Sequence, residues 1–218
     1  MDVKTKSQNS FNHQADIYDS TDFSKYPREC YPYVLEALSG IKFDKVLDLG
    51  CGTGVILEKI SCANNFAELY GLDLSENMIA QAKQRLSQKA KLSVGDAENL
   101  PYEKENFDLV CCIESFHHYP NPSKALFEIM RVLKTGGTFL LCDTWTKSPL
   151  RQIMNFFIRF SNDGDVHIYS EHEISKLFTE TGFSVVSWKL ITNHAYLVAG
   201  KKPFAADNRM GISLCPQK

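Results

Sequence analysis

The chain lacks a dominant charge, an apolar run long enough to span a membrane, and any cysteine pair at metal-ligand spacing. Each absence removes a class of function. A formal net charge of -2 provides no strong field to gather nucleic acid, which argues against an RNA or DNA partner while leaving local basic patches open. No apolar stretch reaches the roughly 20 residues of a membrane span, and the polar first ten residues do not read as a signal peptide, so the expected compartment is the cytoplasm. The seven cysteines, Cys30, Cys51, Cys62, Cys111, Cys112, Cys142 and Cys215, are odd in number and form no C-x-x-C or Cys/His pattern. Several fall in expected strands, where a free thiol packs as a small apolar residue; they read as reduced and structural, with no metal site. Internal repeats and low-complexity tracts are also missing. With 218 residues, the chain suits one α/β domain and is too short for two of full size.

What is present begins at Val46-Leu47-Asp48-Leu49-Gly50-Cys51-Gly52-Thr53-Gly54, a short apolar strand that ends in an acid and opens into a glycine turn before a helix. Glycines permit positive φ and a close backbone approach to a ligand. Asp48 discriminates among ligands, because a carboxylate beside a pyrophosphate would repel it. It suits a ligand with positive charge near the turn. A second short strand, Glu68-Leu69-Tyr70-Gly71-Leu72-Asp73, ends in another acid about 20 residues beyond the glycines, where a carboxylate accepts ribose hydroxyls.

These motifs resemble the class I S-adenosylmethionine-dependent methyltransferases, whose acid-x-Gly-x-Gly-x-Gly pattern is met by Asp48, Gly50, Gly52 and Gly54. Further segments match in order. Val94-Gly95-Asp96-Ala97-Glu98-Asn99-Leu100-Pro101 resembles the adenine-binding segment, Phe107-Asp108-Leu109-Val110 the fourth strand, and Ile129 to Gly137 the helix and turn before the fifth. The likeness runs from about residue 46 to 143 and more loosely to 201. It implies S-adenosylmethionine as cofactor and a Rossmann-like, doubly wound α/β sheet of seven strands, mostly parallel with a C-terminal antiparallel hairpin strand. It further implies that Tyr18, Asp48, Gly50, Cys51, Gly52, Asp73, Leu74, Met78, Asp96, Ala97 and Ile113 bind the cofactor. The leader Phe11 to Asp19 is similar to that of the ubiquinone- and menaquinone-pathway group, where it folds over the cofactor.

Alternating apolar segments place strands near 46–49, 68–73, 91–94, 109–113 and 138–142, with helices in the gaps. Ser75 reads as an N-cap of the helix to Leu86, and Ser123 precedes the helix reaching Leu133. A helix from Glu171 to about Thr181 ends at Gly182, and 183–190 and 194–199 read as a strand pair. Asp108, an acid opening a strand, is assigned to ordering a turn. The expected organisation is a helical lid over 1–40, a cofactor domain over 41–201 with a substrate-cap insert at 143–170, and a tail over 202–218.

Chemistry belongs at the carboxyl ends of the strands, which singles out Cys112-Ile113-Glu114-Ser115-Phe116-His117-His118-Tyr119-Pro120. Adjacent histidines in an extended segment point opposite ways, so one at most faces the pocket. His118 is the candidate general base, set against a role in fixing this loop. The segment lacks the DPPY- or NPPY-like tetrapeptide of many nucleobase amino-methyltransferases. In the insert, Leu150, Ile153, Met154, Phe157 and Ile158 form one helical stripe that reads as core, while Phe156 and Phe160 lie on another face open to a pocket or partner. The expected activity is methyl transfer by in-line displacement to a small molecule with an apolar or aromatic portion. Two other readings stand beside it: a non-catalytic S-adenosylmethionine-binding sensor or assembly protein, and a nicotinamide-dependent oxidoreductase. The latter calls for glycine where Val55 stands. Acceptor atom and oligomeric state are not legible.

Overall fold

The structure, a computed structural model, describes residues 2–64, 66–158, 160 and 164–204; of the expected tail, 205–218 lie outside them. Seven strands, β1 Lys45–Leu49, β2 Glu68–Asp73, β3 Ala90–Val94, β4 Phe107–Ile113, β5 Leu133–Thr144, β6 Ser184–Leu190 and β7 Ala195–Lys201, form one sheet in the order β3-β2-β1-β4-β5-β7-β6. Pairing is parallel from β3 across to β5, and β7 runs antiparallel to both β5 and β6. The expected α/β architecture is thus the observed one.

Period-two alternation explains why both sheet faces are covered. Leu47, Val110, Cys112, Phe139 and Leu141 turn to one core, which includes Ile129 of α5 (Pro122–Val132) and Phe178 of α7 (Glu171–Glu180). Val46, Leu109, Cys111, Leu140 and Cys142 turn to the other, with Val34 of α2 (Lys25–Ser39), Ile56 of α3 (Val55–Ala63) and Ile79 of α4 (Glu76–Leu86). Phe139 stacks on Phe178 with ring centroids 5.3 Å apart. Three cysteines accordingly fill apolar positions of the strands.

Local chemistry sets the boundaries. Ser75 Oγ accepts from Met78 N at 3.1 Å, the expected cap of α4. Ser170 and Glu173 complete a reciprocal capping box on α7. Asp108 accepts from the backbone of Asp44 and Lys45 at 3.1 and 2.9 Å and pairs with Lys134 at 2.7 Å, so it ties turns together as expected. Helix α5 begins earlier than expected: Pro122, pre-set in φ, occupies its first turn, and Ser123 lies inside it. Helix α6 (Leu150–Ile158) departs further. Leu150, Ile153, Met154 and Phe157 are 38–60% exposed, and none of its residues is buried; the stripe expected to be core faces outward.

Before β1, α1 (Val3–Gln14) packs against α4 and against a 3-10 turn, Phe116–His118, that follows β4. A further 3-10 turn, Tyr18–Ser20, leads on toward α2. Among the described residues no helix is long and apolar enough to cross a membrane.

Candidate active site

The ends of β1, β2 and β4 and the loop after β3 open into one cavity, roofed by α1 and the 3-10 turn at Tyr18. Parallel strands end together here, which exposes their last residues in a common crevice. All twelve residues singled out in the sequence reach it: Tyr18, Asp48, Gly50, Cys51, Gly52, Asp73, Leu74, Met78, Asp96, Ala97, Ile113 and His118.

The glycine turn is directed inward. Gly50 N and Cys51 N donate to Leu72 O at 2.8 and 3.1 Å, and Gly52 N donates to Asp73 Oδ2 at 2.8 Å. These amides therefore do not form a free cradle for a phosphate. Gly50, at φ +73°, lies so close to Ser115 that a Cβ would collide with its side chain, whereas a Cβ on Gly52 would meet nothing within 4 Å. The second position leaves room against the backbone for a ligand.

Asp48 is buried at the base of this turn. Its Oδ1 accepts a weak bond from Cys111 Sγ at 3.6 Å, while Oδ2 has no partner in the protein. Burial pushes its pKa up to about 7; the Cys111 thiol opposes this and the nearby Asp73 carboxylate adds to it. Such an orphaned carboxylate is the complement of a cationic group. Asp73 accepts from Ser75 N through Oδ1 at 2.8 Å as well as from Gly52 N. Burial raises its pKa against these backbone donors.

Helix α1 closes the opposite end. Lys4 Nζ lies 2.7 Å from both Asp96 Oδ2 and Glu98 Oε2, and Gln8 Nε2 donates to Leu74 O at 3.0 Å. Asp96 Oδ1 also accepts from Glu98 N at 2.9 Å, which sets the turn after β3.

The paired histidines sit in the 3-10 turn and not in extended backbone, so the alternation argument does not apply to them. Their rings lie 4.1 Å apart, both within reach of Asp165. His118 faces the cavity, edge-on to Phe11 at 5.1 Å, with Nδ1 3.1 Å from Asp165 Oδ1. Burial and the neighbouring His117 hold it neutral, well below the usual imidazole range. His117 turns to Asp143 at 2.6 Å; burial alone would lower its pKa, but the Asp143 charge outweighs this and raises it. Sequence reasoning singled out the segment that holds Glu114 and Ser115 without giving either a role, and passed over Tyr31; all three line the cavity. Glu114 follows the last residue of β4, and that placement was the available signal.

Comparison with known proteins bears on this geometry. The family model described as Methyltransferase domain matches residues 47–141. A demethylmenaquinone methyltransferase of Thermotoga maritima is 29% identical over 175 residues, covering 70% of this chain and 75% of that protein. A phthiotriol/phenolphthiotriol dimycocerosates methyltransferase of Mycobacterium ulcerans is 37% identical over 122 residues, covering 50% of this chain and 45% of that protein. Among solved structures, a chain of the complex between the Haloferax volcanii Trm112 methyltransferase activator and a methyltransferase has a TM-score of 0.80 at 20% identity, covering 91% of this chain and 98% of that one. At that identity the likeness is one of fold.

Proposed function

We propose, for a chain that carries a class I S-adenosylmethionine-dependent methyltransferase domain, that it methylates a small-molecule acceptor with an apolar or aromatic body. The observation that carries this reading is the unpartnered Oδ2 of buried Asp48, set beside a glycine turn whose amides are already satisfied. A phosphate ligand answers neither feature; the α-ammonium of S-adenosylmethionine answers the first without needing the second.

The remaining residues fit the same ligand. Asp73 retains free lone pairs for ribose hydroxyls, and Asp96 with Ala97 receives the adenine edge. Leu74, Met78 and Ile113 pack the ring and the methionine chain, Gly50, Cys51 and Gly52 supply close backbone, and Tyr18 covers the site. Bound there, S-adenosylmethionine supplies a methyl group already activated on a sulfonium. The chain's own task is to align the acceptor behind that methyl and exclude water. Phe11, Tyr18, Pro27 and Tyr31 give the roof an apolar and aromatic lining, which is why the acceptor is assigned an apolar body. His118, neutral and lining the same cavity beside Phe11, holds the acceptor in line; its lowered pKa makes it a weak proton acceptor. Residues 1–40 act as the lid, 41–201 as the cofactor domain, and 143–170 as the cap on the acceptor side. The relatives are named for demethylmenaquinone and for phthiotriol dimycocerosates; only the coarser class, a small apolar molecule, is carried over.

Isothermal calorimetry with S-adenosylmethionine, S-adenosylhomocysteine and NADH tests the reading. Micromolar binding of the first two without the third is expected. Binding of NADH alone would replace methyl transfer with the oxidoreductase reading, and cofactor binding without turnover of any acceptor would favour a sensor.

A further inference from the structure

Five carboxylates line the cavity, Asp48, Asp73, Asp96, Glu98 and Glu114, against one lysine, Lys4. Lys4 is already held by Asp96 and Glu98, and Glu98 also accepts the backbone and side-chain N–H groups of Asn121 at 2.9 and 3.1 Å. With Asp48, Asp73 and Asp96 turned to the cofactor, Glu114 is the acid with no assigned partner.

Its placement is specific. Glu114 adopts φ +50°, a left-handed conformation uncommon for a residue with a side chain, and its N–H is anchored to Cys142 O at 2.8 Å. This turn directs the carboxylate beneath α2, where Oε1 lies 3.7 Å from Cys30 Sγ. A ring nitrogen of His117, itself paired with Asp143, lies within 4.8 Å of it. The groups gathered around it are Cys30, Cys142, His117 and Asp143, with Tyr18 on the cavity side. Burial, then the charge of Asp143, holds its carboxyl well above the usual range. A half-buried acid with a thiol for its neighbour, lining this cavity, has capacity for a further donor.

We propose that Glu114 faces the acceptor and selects a primary or secondary amine on an apolar body. The inference rests on the methyltransferase reading and names the substrate class that it leaves open. A protonated amine complements the carboxylate-lined wall, whereas an anionic acceptor would be repelled by it. The chemistry balances. Pairing with the bound ammonium brings Glu114 into its ionised form, its own carboxyl proton leaving to solvent. In the reaction the ammonium N–H then breaks and its proton passes to a Glu114 oxygen, leaving a nitrogen lone pair. That pair forms the N–CH₃ bond as the S–CH₃ bond breaks with its electrons onto sulfur. One carboxylate, one ammonium and one sulfonium become a carboxylic acid, an N-methylammonium and a thioether, with net charge unchanged.

The test uses the full chain saturated with S-adenosylhomocysteine and titrated in a calorimeter with aryl- and alkylamines, each matched by its alcohol. Amines from this set should bind at least tenfold more tightly than the matched alcohols. Glu114→Gln should lose that preference while keeping S-adenosylhomocysteine affinity within twofold and an undiminished thermal midpoint. Three results would overturn the proposal: alcohols binding as well as amines, no amine binding to the loaded protein, or a preference that survives in Glu114→Gln. Stoichiometric zinc uptake that Glu114→Gln abolishes would also overturn it, making the acid a metal ligand among the neighbouring thiols. If S-adenosylhomocysteine itself fails to bind, the methyltransferase reading falls first, and this failure is distinguishable from the others.

Discussion

At the scale of single residues, Asp48 combines identity, burial and an unfilled lone pair. Its pKa is raised from 3.8 to about 7 by loss of solvent. In the empty protein the native state therefore keeps a proton that the unfolded chain has released between those values. That contribution to stability is complete below pH 3.8 and is lost as pH rises through about 7. A cationic ligand reverses the preference, because it binds the ionised form. S-adenosylmethionine affinity should therefore climb as pH rises toward 7 and level off above it. Asp48→Asn should bind weakly at all pH values, remove this step from the pH profile, and be more stable than the parent at pH 8 without ligand. Calorimetry and thermal denaturation across pH 5.5 to 8.5 check both; a flat affinity profile for the parent chain would contradict the role.

Asp48 was legible because the acid and the glycines are neighbours in sequence. Glu114 was legible only in its place after β4; its role was not, since that depends on a left-handed turn and on Cys30, 84 positions away. Lys4 is a similar case. Nothing near residue 4 announces that its ammonium will reach Asp96, 92 positions on.

At the scale of elements, helix α6 separates periodicity from burial. Its apolar residues recur at helical spacing, which is why the sequence reads as a helix with a core face. Periodicity places residues on one side of a cylinder; it does not say what lies against that side. Phe157 is 60% exposed while Phe178 on α7 is fully buried against Phe139 and Phe183. Phe178→Ala should destabilise the protein by about 3–5 kcal/mol, as removal of a packed core ring does. Phe157→Ser should change stability by no more than about 0.5 kcal/mol. Urea denaturation of the two variants decides between them, and equal losses would mean that α6 packs inward after all.

The histidine pair makes the same point on a shorter element. Opposed side chains were expected from extended backbone, but Ser115 O accepts from His118 N at 3.1 Å and closes a 3-10 turn. The rings consequently lie side by side. His118 still reaches the cavity, by a route that alternation does not describe.

At the scale of the whole molecule, the order β3-β2-β1-β4-β5-β7-β6 gathers acids that are far apart in sequence onto one rim. The alternation of strands and helices made this legible, because parallel strands joined by crossovers must all end on the same edge. That α1 lies over that rim was expected from the leader's likeness to the quinone-pathway group and not from its own residues, which carry little apolar pattern. Concentrating carboxylates where the chain also needs compact packing costs stability, since desolvation raises the pKa of buried Asp48 and of partly buried Asp73 and Glu114. A ligand that supplies their missing partners returns that free energy to the fold. At 100 times its dissociation constant, a ligand specific to the native state stabilises it by about 2.7 kcal/mol. For a domain of this size each kcal/mol moves the thermal midpoint by about 2–4 °C. S-adenosylmethionine should therefore raise the midpoint by about 5–11 °C at pH 8. The shift should be smaller at pH 6, where Asp48 must first give up its proton, and smaller still in Asp48→Asn at either pH. Thermal scans of both proteins at both pH values read out all four numbers. Equal shifts at pH 6 and pH 8 in the parent chain would mean that the ligand's charge is met elsewhere in the cavity.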